Sequence, residues 1–197
     1  MKLTVCHRTT YRFDPAMRGL VQSLRLWPST CENQSVVAWD VTIDGALRGA
    51  SFTEGSGDRI ETATLTGAVS DVTVAVDGTV ETVDLSGVLK GHKEKVPPLV
   101  YLRPGRTTAV DHALKDLAHE AVAGVNDALD RAHALREAVS KAIAYVPGET
   151  TSETTAAEAL AAGKGVCQDH AHALIATGHA LDMPARYVTG YLNADGG

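Results

Sequence analysis

Cys167 is the residue best placed to do chemistry. It follows the glycine-bracketed turn Gly163-Lys164-Gly165-Val166 and opens Gln168-Asp169-His170-Ala171-His172-Ala173-Leu174-Ile175, which reads as a buried helix running from about 166 to 181. The first N–H groups of a helix lack partners inside it, and the macrodipole puts its positive end there. Both favour a thiolate, the nucleophilic form of cysteine. The backbone N–H of Cys167 would also be placed to help an oxyanion hole. Residue type alone favours a small inert core residue for any single cysteine, so the turn and the helix start are what mark this one. Ala171, Leu174, Ile175, Gly178 and Leu181 read as the buried face, with Cys167 one turn before Ala171, so the spacing predicts a sulfur that points inward.

A nucleophilic cysteine needs an imidazole base, usually oriented by a carboxylate or an amide. Proximity in sequence does not supply one. His170 lies about 300° around the helix from Cys167 and His172 about 140°, while His179 is roughly three turns on. All three are read as bystanders. A metal site built from Cys167, His170 and His172 fails because those spacings do not converge on one ion and no fourth ligand is evident. Cys6 and Cys31 are far apart, form no C-x-x-C pair and read as small buried residues. His112, His119 and His133 fall beside helical apolar stripes, as boundary or solvated residues do. No metal and no cofactor is expected.

Composition sets the wider bounds. The 197 residues are 44% hydrophobic and 21% charged, which suits a globular fold of one large or two small domains. The net charge of −6, without a long basic run, argues against nucleic acid or an anionic membrane as partner. No apolar run approaches the roughly 20 residues that span a bilayer. The N-terminus lacks the apolar region of a signal peptide, so a cytoplasmic protein is expected.

The chain divides by periodicity. Residues 1–95 contain short runs rich in Val, Thr and aromatics, closed by Asp14-Pro15, Pro28, Asp44-Gly45 and Asp77-Gly78. Val72, Val74 and Val76 alternate with Thr73 and Ala75, the period of a half-buried strand. This half is expected to be an antiparallel β-sandwich with Trp27 and Trp39 in its core. Residues 96–106, with Pro97-Pro98 and Pro104-Gly105, read as a linker. From 107 to 197 the period becomes helical: one helix from Thr107 to Gly124, a second from Asn126 to Pro147, and a short one opened by the capping box Thr155-x-x-Glu158 and stopped by Gly163. After Met183-Pro184, Arg186–Leu192 reads as a strand. The fold class is α+β, a β-sandwich followed by a mainly helical core.

Gly165-Val166-Cys167-Gln168-Asp169-His170-Ala171, with Met183-Pro184-Ala185-Arg186-Tyr187-Val188-Thr189-Gly190-Tyr191 after it, resembles the core of the transglutaminase-like superfamily. His7-x-Thr9-x-Tyr11-x-Phe13, Leu24-Arg25-Leu26-x-Pro28, Gln34 and Trp39 resemble the β-rich domain that precedes that core in its bacterial, cysteine-protease-like branch. The resemblance implies a papain-like core with a cysteine, histidine and aspartate triad, and carries the nucleophile onto Cys167. It implies acyl transfer from a peptide or glutamine-type amide of a peptide or protein substrate, with hydrolysis favoured over cross-linking. A non-catalytic peptide- or protein-binding module on a degenerate core is the alternative. The family's histidine lies in a His-Ala-Trp strand and its aspartate in an Asp-Pro-Thr-like turn, both after the segment that ends here near Tyr191. Asp195 is not at the aspartate's position. The sequence as it stands is therefore expected to be an N-terminal part of the core, without turnover of its own. An apolar face left open by that incompleteness could be covered by a second copy, as a homodimer.

Overall fold

The structure, a computed structural model, describes residues 1–193. The chain forms two compact units. One comprises Met1–Val96 together with the segment beginning at Gly190, and the other is Pro97–Thr189. The segment 96–106, read as a linker, contributes 3-10 turns at Pro98–Leu102 and Arg106–Thr108, both within the second unit. Asp195 lies outside the described residues.

The first unit is an antiparallel sheet of β1 (Lys2–Leu24), β2 (Gln34–Ile43), β3 (Leu47–Thr53) and β4 (Arg59–Thr82). β4 is its central strand. β1 pairs along its length, from Lys2↔Glu81 to Leu24↔Glu61, while β2 and β3 follow one another along its other edge. Among the described residues these strands are hydrogen-bonded in one antiparallel sheet.

Pro28 and Asp44-Gly45 fall between strands as expected, but the other two breaks, Asp14-Pro15 and Asp77-Gly78, lie inside long strands. Asp14-Pro15 sits within β1, where the register with β4 shifts between Arg12 and Met17 and again before Gly19. A bulge is where a strand can accept a proline, because no ladder hydrogen bond is lost there. Gly78 lies within β4 directly opposite Trp39, and a Cβ added to it would meet Trp39 Cε3 at 2.1 Å. The indole thus occupies the space that a side chain would take. β3 escapes a reading by periodicity because all seven of its residues are exposed.

The alternating Val72, Val74 and Val76 are buried as their period predicts, with Val41, Val5, Leu24, Leu26, Trp27 and Trp39 packed about Val74 and Val76. Glu61, only 5% exposed, accepts from Arg48 Nε and from an Arg59 terminal nitrogen, and the Arg59 guanidinium lies 4.7 Å from the Trp27 ring centroid. Tyr191 belongs to this unit, with its hydroxyl 3.0 Å from His7 Nδ1.

The second unit holds α1 (His112–Ala121), α2 (Ala128–Ala142), β5 (Ala144–Tyr145), α3 (Ala156–Ala162), β6 (Lys164–Gly165) and α4 (Cys167–His179). Three helix starts follow from local chemistry. The Asp111 carboxylate accepts from Leu114 N–H, Asp127 accepts from Leu129 and Asp130, and Thr155 with Glu158 forms the expected capping box. Gly163 ends α3 in the left-handed region at φ 64°, which glycine adopts without steric penalty.

Leu114, Val139, Ile143, Ala156, Ala159, Ala173 and Ala176 form one core, so all four helices contribute to it. Burying a side chain the size of Leu114 contributes about 1.5–3 kcal/mol, and small alanines on α3 and α4 let the helices approach closely. Among the described residues no helix is long and apolar enough to cross a membrane. Arg186–Leu192, expected as a strand, is in no strand.

Candidate functional site

Cys167 is placed by a parallel strand pair and the α3 crossover between the two strands. β5 pairs with β6, Ala144 with Lys164 and Tyr145 with Gly165. Ala144 N–H donates to Gly163 O at 2.9 Å and Val146 N–H to Gly165 O at 2.9 Å. The chain leaves β6 through an extended Val166 (φ −113°, ψ −173°) and enters α4 at Cys167, its first residue. The expected helix start at Cys167 is therefore present, but the glycine-bracketed stretch before it is not a turn: Gly163 caps α3 and Lys164–Gly165 is the strand β6. Asp169 and His170 N–H both donate to Val166 O, at 3.0 and 3.1 Å. Among the described residues, this leaves the N–H groups of Cys167 and Gln168 as the first-turn donors without a backbone acceptor, the arrangement that suits a developing oxyanion.

The predicted inward sulfur is corrected. Cys167 is exposed, although Ile175 and Gly178 of the expected face are buried and Ala171, Leu174 and Leu181 are half-buried; Asp169, Ala173, Ala176 and Thr177 are buried on other sides of α4. Asp169 lies about 200° around the helix from Cys167, so its burial does not carry Cys167 inward with it.

Asp169 is fully buried. Its Oδ2 accepts from Val166 N–H at 2.7 Å and from the Thr150 hydroxyl at 2.7 Å, while Oδ1 is buried without a partner among the described residues. Gln168 Nε2 donates to Thr151 O at 3.3 Å. The polar loop before α3 is thus fastened to the first turn of α4 by two successive residues on each side. The sequence reading gave Asp169 and Thr150 no role. The available signal was the capping position, an acidic residue three beyond the helix boundary.

The local histidines face groups other than Cys167, and among the described residues His172 Nδ1 and His179 Nδ1 are buried without a hydrogen-bond partner. His170 Nδ1 is 2.9 Å from Val166 O and its Nε2 is 2.8 Å from Ile143 O, so its ring spans the start of α4 and the end of α2. His172 stacks near Tyr187 with ring centroids 5.6 Å apart, and His179 Nε2 lies 3.4 Å from Ala185 O. Among the described residues none of the three has Cys167 as a hydrogen-bond partner, and no group of acidic, histidine and cysteine side chains is arranged to hold a metal. Cys6 is exposed and Cys31 half-buried, so the expected burial of both is corrected as well. In the sheet unit, a cavity of about 250 Å³ lined by His7, Thr9, Gln22 and Leu24 is separate from these residues.

Residues 115–197 match the transglutaminase-like superfamily, and residues 3–81 match the bacterial transglutaminase-like N-terminal region. An uncharacterized protein of Mycobacterium leprae (strain TN) is 25% identical over 206 residues, covering 98% of this chain and 71% of that protein. A crystal structure from Cytophaga hutchinsonii, whose protein is described there as a "Putative Cysteine Protease", shares the fold. It has a TM-score of 0.71 at 20% identity, covering 93% of this chain and 65% of its own, so the present chain spans less than two thirds of that protein. With α2 to α4 inside one matched segment and α1 overlapping its start, and with β1 to β4 inside or overlapping the other, residues 115–197 belong to the transglutaminase-like superfamily and residues 3–81 to the bacterial transglutaminase-like N-terminal region.

Proposed function

We propose that this core performs acyl transfer from amides with Cys167 as nucleophile. The thiolate attacks a peptide or glutamine-type amide carbonyl, and an S–C bond forms. The C–N bond then breaks, and the amine leaves with a proton. Water next adds to the thioester, releasing the carboxylic acid and restoring the thiol. The observation that carries this reading is an exposed cysteine at the first position of α4, beside unpartnered N–H groups, within the segment that matches the superfamily. The protease description of the Cytophaga hutchinsonii protein supports hydrolysis over cross-linking. The base is assigned to none of His170, His172 and His179.

Selective alkylation tests it. Cys6 is also exposed, so exposure alone would make the two thiols comparable. Iodoacetamide labelling of the whole chain, followed cysteine by cysteine by mass spectrometry, is expected to modify Cys167 well before Cys6. In the natural gene product, Cys167→Ser is expected to abolish amine release from peptide amides. Equal labelling of the two thiols would overturn the nucleophile and leave a binding module as the better description.

A further inference from the structure

The buried carboxylate next to Cys167 has no place in the acyl-transfer scheme, yet its position is costly. Asp169 is fully inside the protein, and both hydrogen bonds that it accepts come from neutral groups, Val166 N–H and the Thr150 hydroxyl. A buried charge that lacks an opposite charge destabilises a fold unless hydrogen bonds and a helix terminus compensate it. A neutral capping hydroxyl would secure α4 at far smaller cost, as that of Thr155 does for α3. What burial adds is direction. The bond to Val166 N–H fixes the residue immediately before the nucleophile, and the bond to Thr150 fixes the loop beside it.

The space around Asp169 is equally restricted. A Cβ added to Gly165 would lie 2.6 Å from Asp169 Cβ and 2.8 Å from Oδ2, so the end of β6 closes over the carboxylate. Asp169 is therefore held by the strand before Cys167, the helix that carries it and the loop before α3.

From this we infer that Asp169, locked by Thr150, is the positioning residue for Cys167: it sets the orientation in which the sulfur meets the free first-turn N–H groups and the neighbouring loop. The inference rests on the reading of Cys167 as nucleophile. A simple structural role would affect stability. A positioning role also affects the reactivity of a single thiol in a protein that remains folded.

The test uses the whole chain and its exposed Cys6 as an internal reference. Thr150→Val removes the hydroxyl donor at nearly constant volume, and Thr150→Ser keeps it. Labelling with iodoacetamide well below the melting temperature should be slower at Cys167 in Thr150→Val by roughly tenfold, the scale of one hydrogen bond to a charged group. The Cys6 rate should not change. Thr150→Ser should return Cys167 to within about twofold of the wild-type rate. Asp169→Asn, which keeps an acceptor oxygen but alters its charge, should fall between the two. A lower melting temperature in Thr150→Val with an unchanged Cys167 rate would overturn the positioning role alone. Wild-type Cys167 no faster than Cys6 would overturn the nucleophile, and the positioning role with it.

Discussion

Gly165 and Asp169 stand so close that a Cβ on the first would lie 2.6 Å from the Cβ of the second. The strand that precedes the candidate nucleophile and the carboxylate that follows it are thus fitted as one piece, with Thr150 closing the third side at 2.7 Å. Real Cβ atoms do not approach other carbons so closely, so any side chain at 165 must displace either β6 or the first turn of α4. Gly165→Ala is expected to cost about 1–3 kcal/mol, the range for overpacking a tight interior. Thermal unfolding measures the loss, and alkylation of Cys167 in the folded variant should slow as the carboxylate is pushed aside. A variant of wild-type stability would show that the fit is loose.

The sheet unit has a similar fit between Gly78 and Trp39. A methyl at 78 would meet the indole at 2.1 Å, closer than in the first case and against a rigid ring. Trp39 Nε1 donates to Leu26 O at 2.8 Å, so the indole cannot move without losing that bond. Gly78→Ala should destabilise the sheet unit by about 1–3 kcal/mol and alter the near-ultraviolet dichroism of the tryptophans. An unchanged spectrum would place the indole elsewhere.

Glu61 is the buried anion of the sheet unit, 5% exposed between Arg48 and Arg59. Both guanidiniums are about half exposed and can turn to water, so the carboxylate alone bears the desolvation. Removing an arginine should therefore cost more than removing the acid. Arg48→Ala is expected to lose roughly 2–4 kcal/mol by leaving Glu61 short of a partner, and Glu61→Leu less than that. Denaturant unfolding of the two variants reads the difference, and the opposite order would contradict this account.

The capping box of α3 gives a pH dependence with a defined sign. Thr155, through its backbone N–H first and its hydroxyl second, holds the Glu158 carboxyl below the usual range. A carboxyl depressed in the folded state stabilises at pH values above its unfolded pKa and loses that contribution as the pH falls through the folded value. Glu158→Gln should accordingly melt below the wild type at neutral pH, with the gap closing as the pH drops below the ordinary glutamate range. A gap that does not change with pH would assign the effect to packing.

Local features of this chain were legible because their causes are local. The Gly163 stop of α3, the Cys167 helix start, the Thr155 and Glu158 cap and the alternating valines of β4 each depend on residues within about one turn or one pleat, and each is present in the structure. Sequence likewise separated the β-rich half from the helical half, through the change from a period of two to one of 3.6. Tertiary structure decided what depends on distant partners. Trp39 covers Gly78 from another strand, so an Asp-Gly pair that signals a turn runs straight through β4. Thr150 reaches Asp169 across nineteen residues, and that contact makes a charged side chain the buried one in the first turn of α4. Residues 167 and 169 lie about 200° apart around α4, so burying Asp169 does not draw Cys167 into the core with it, and Cys167 is exposed rather than inward as its spacing predicted.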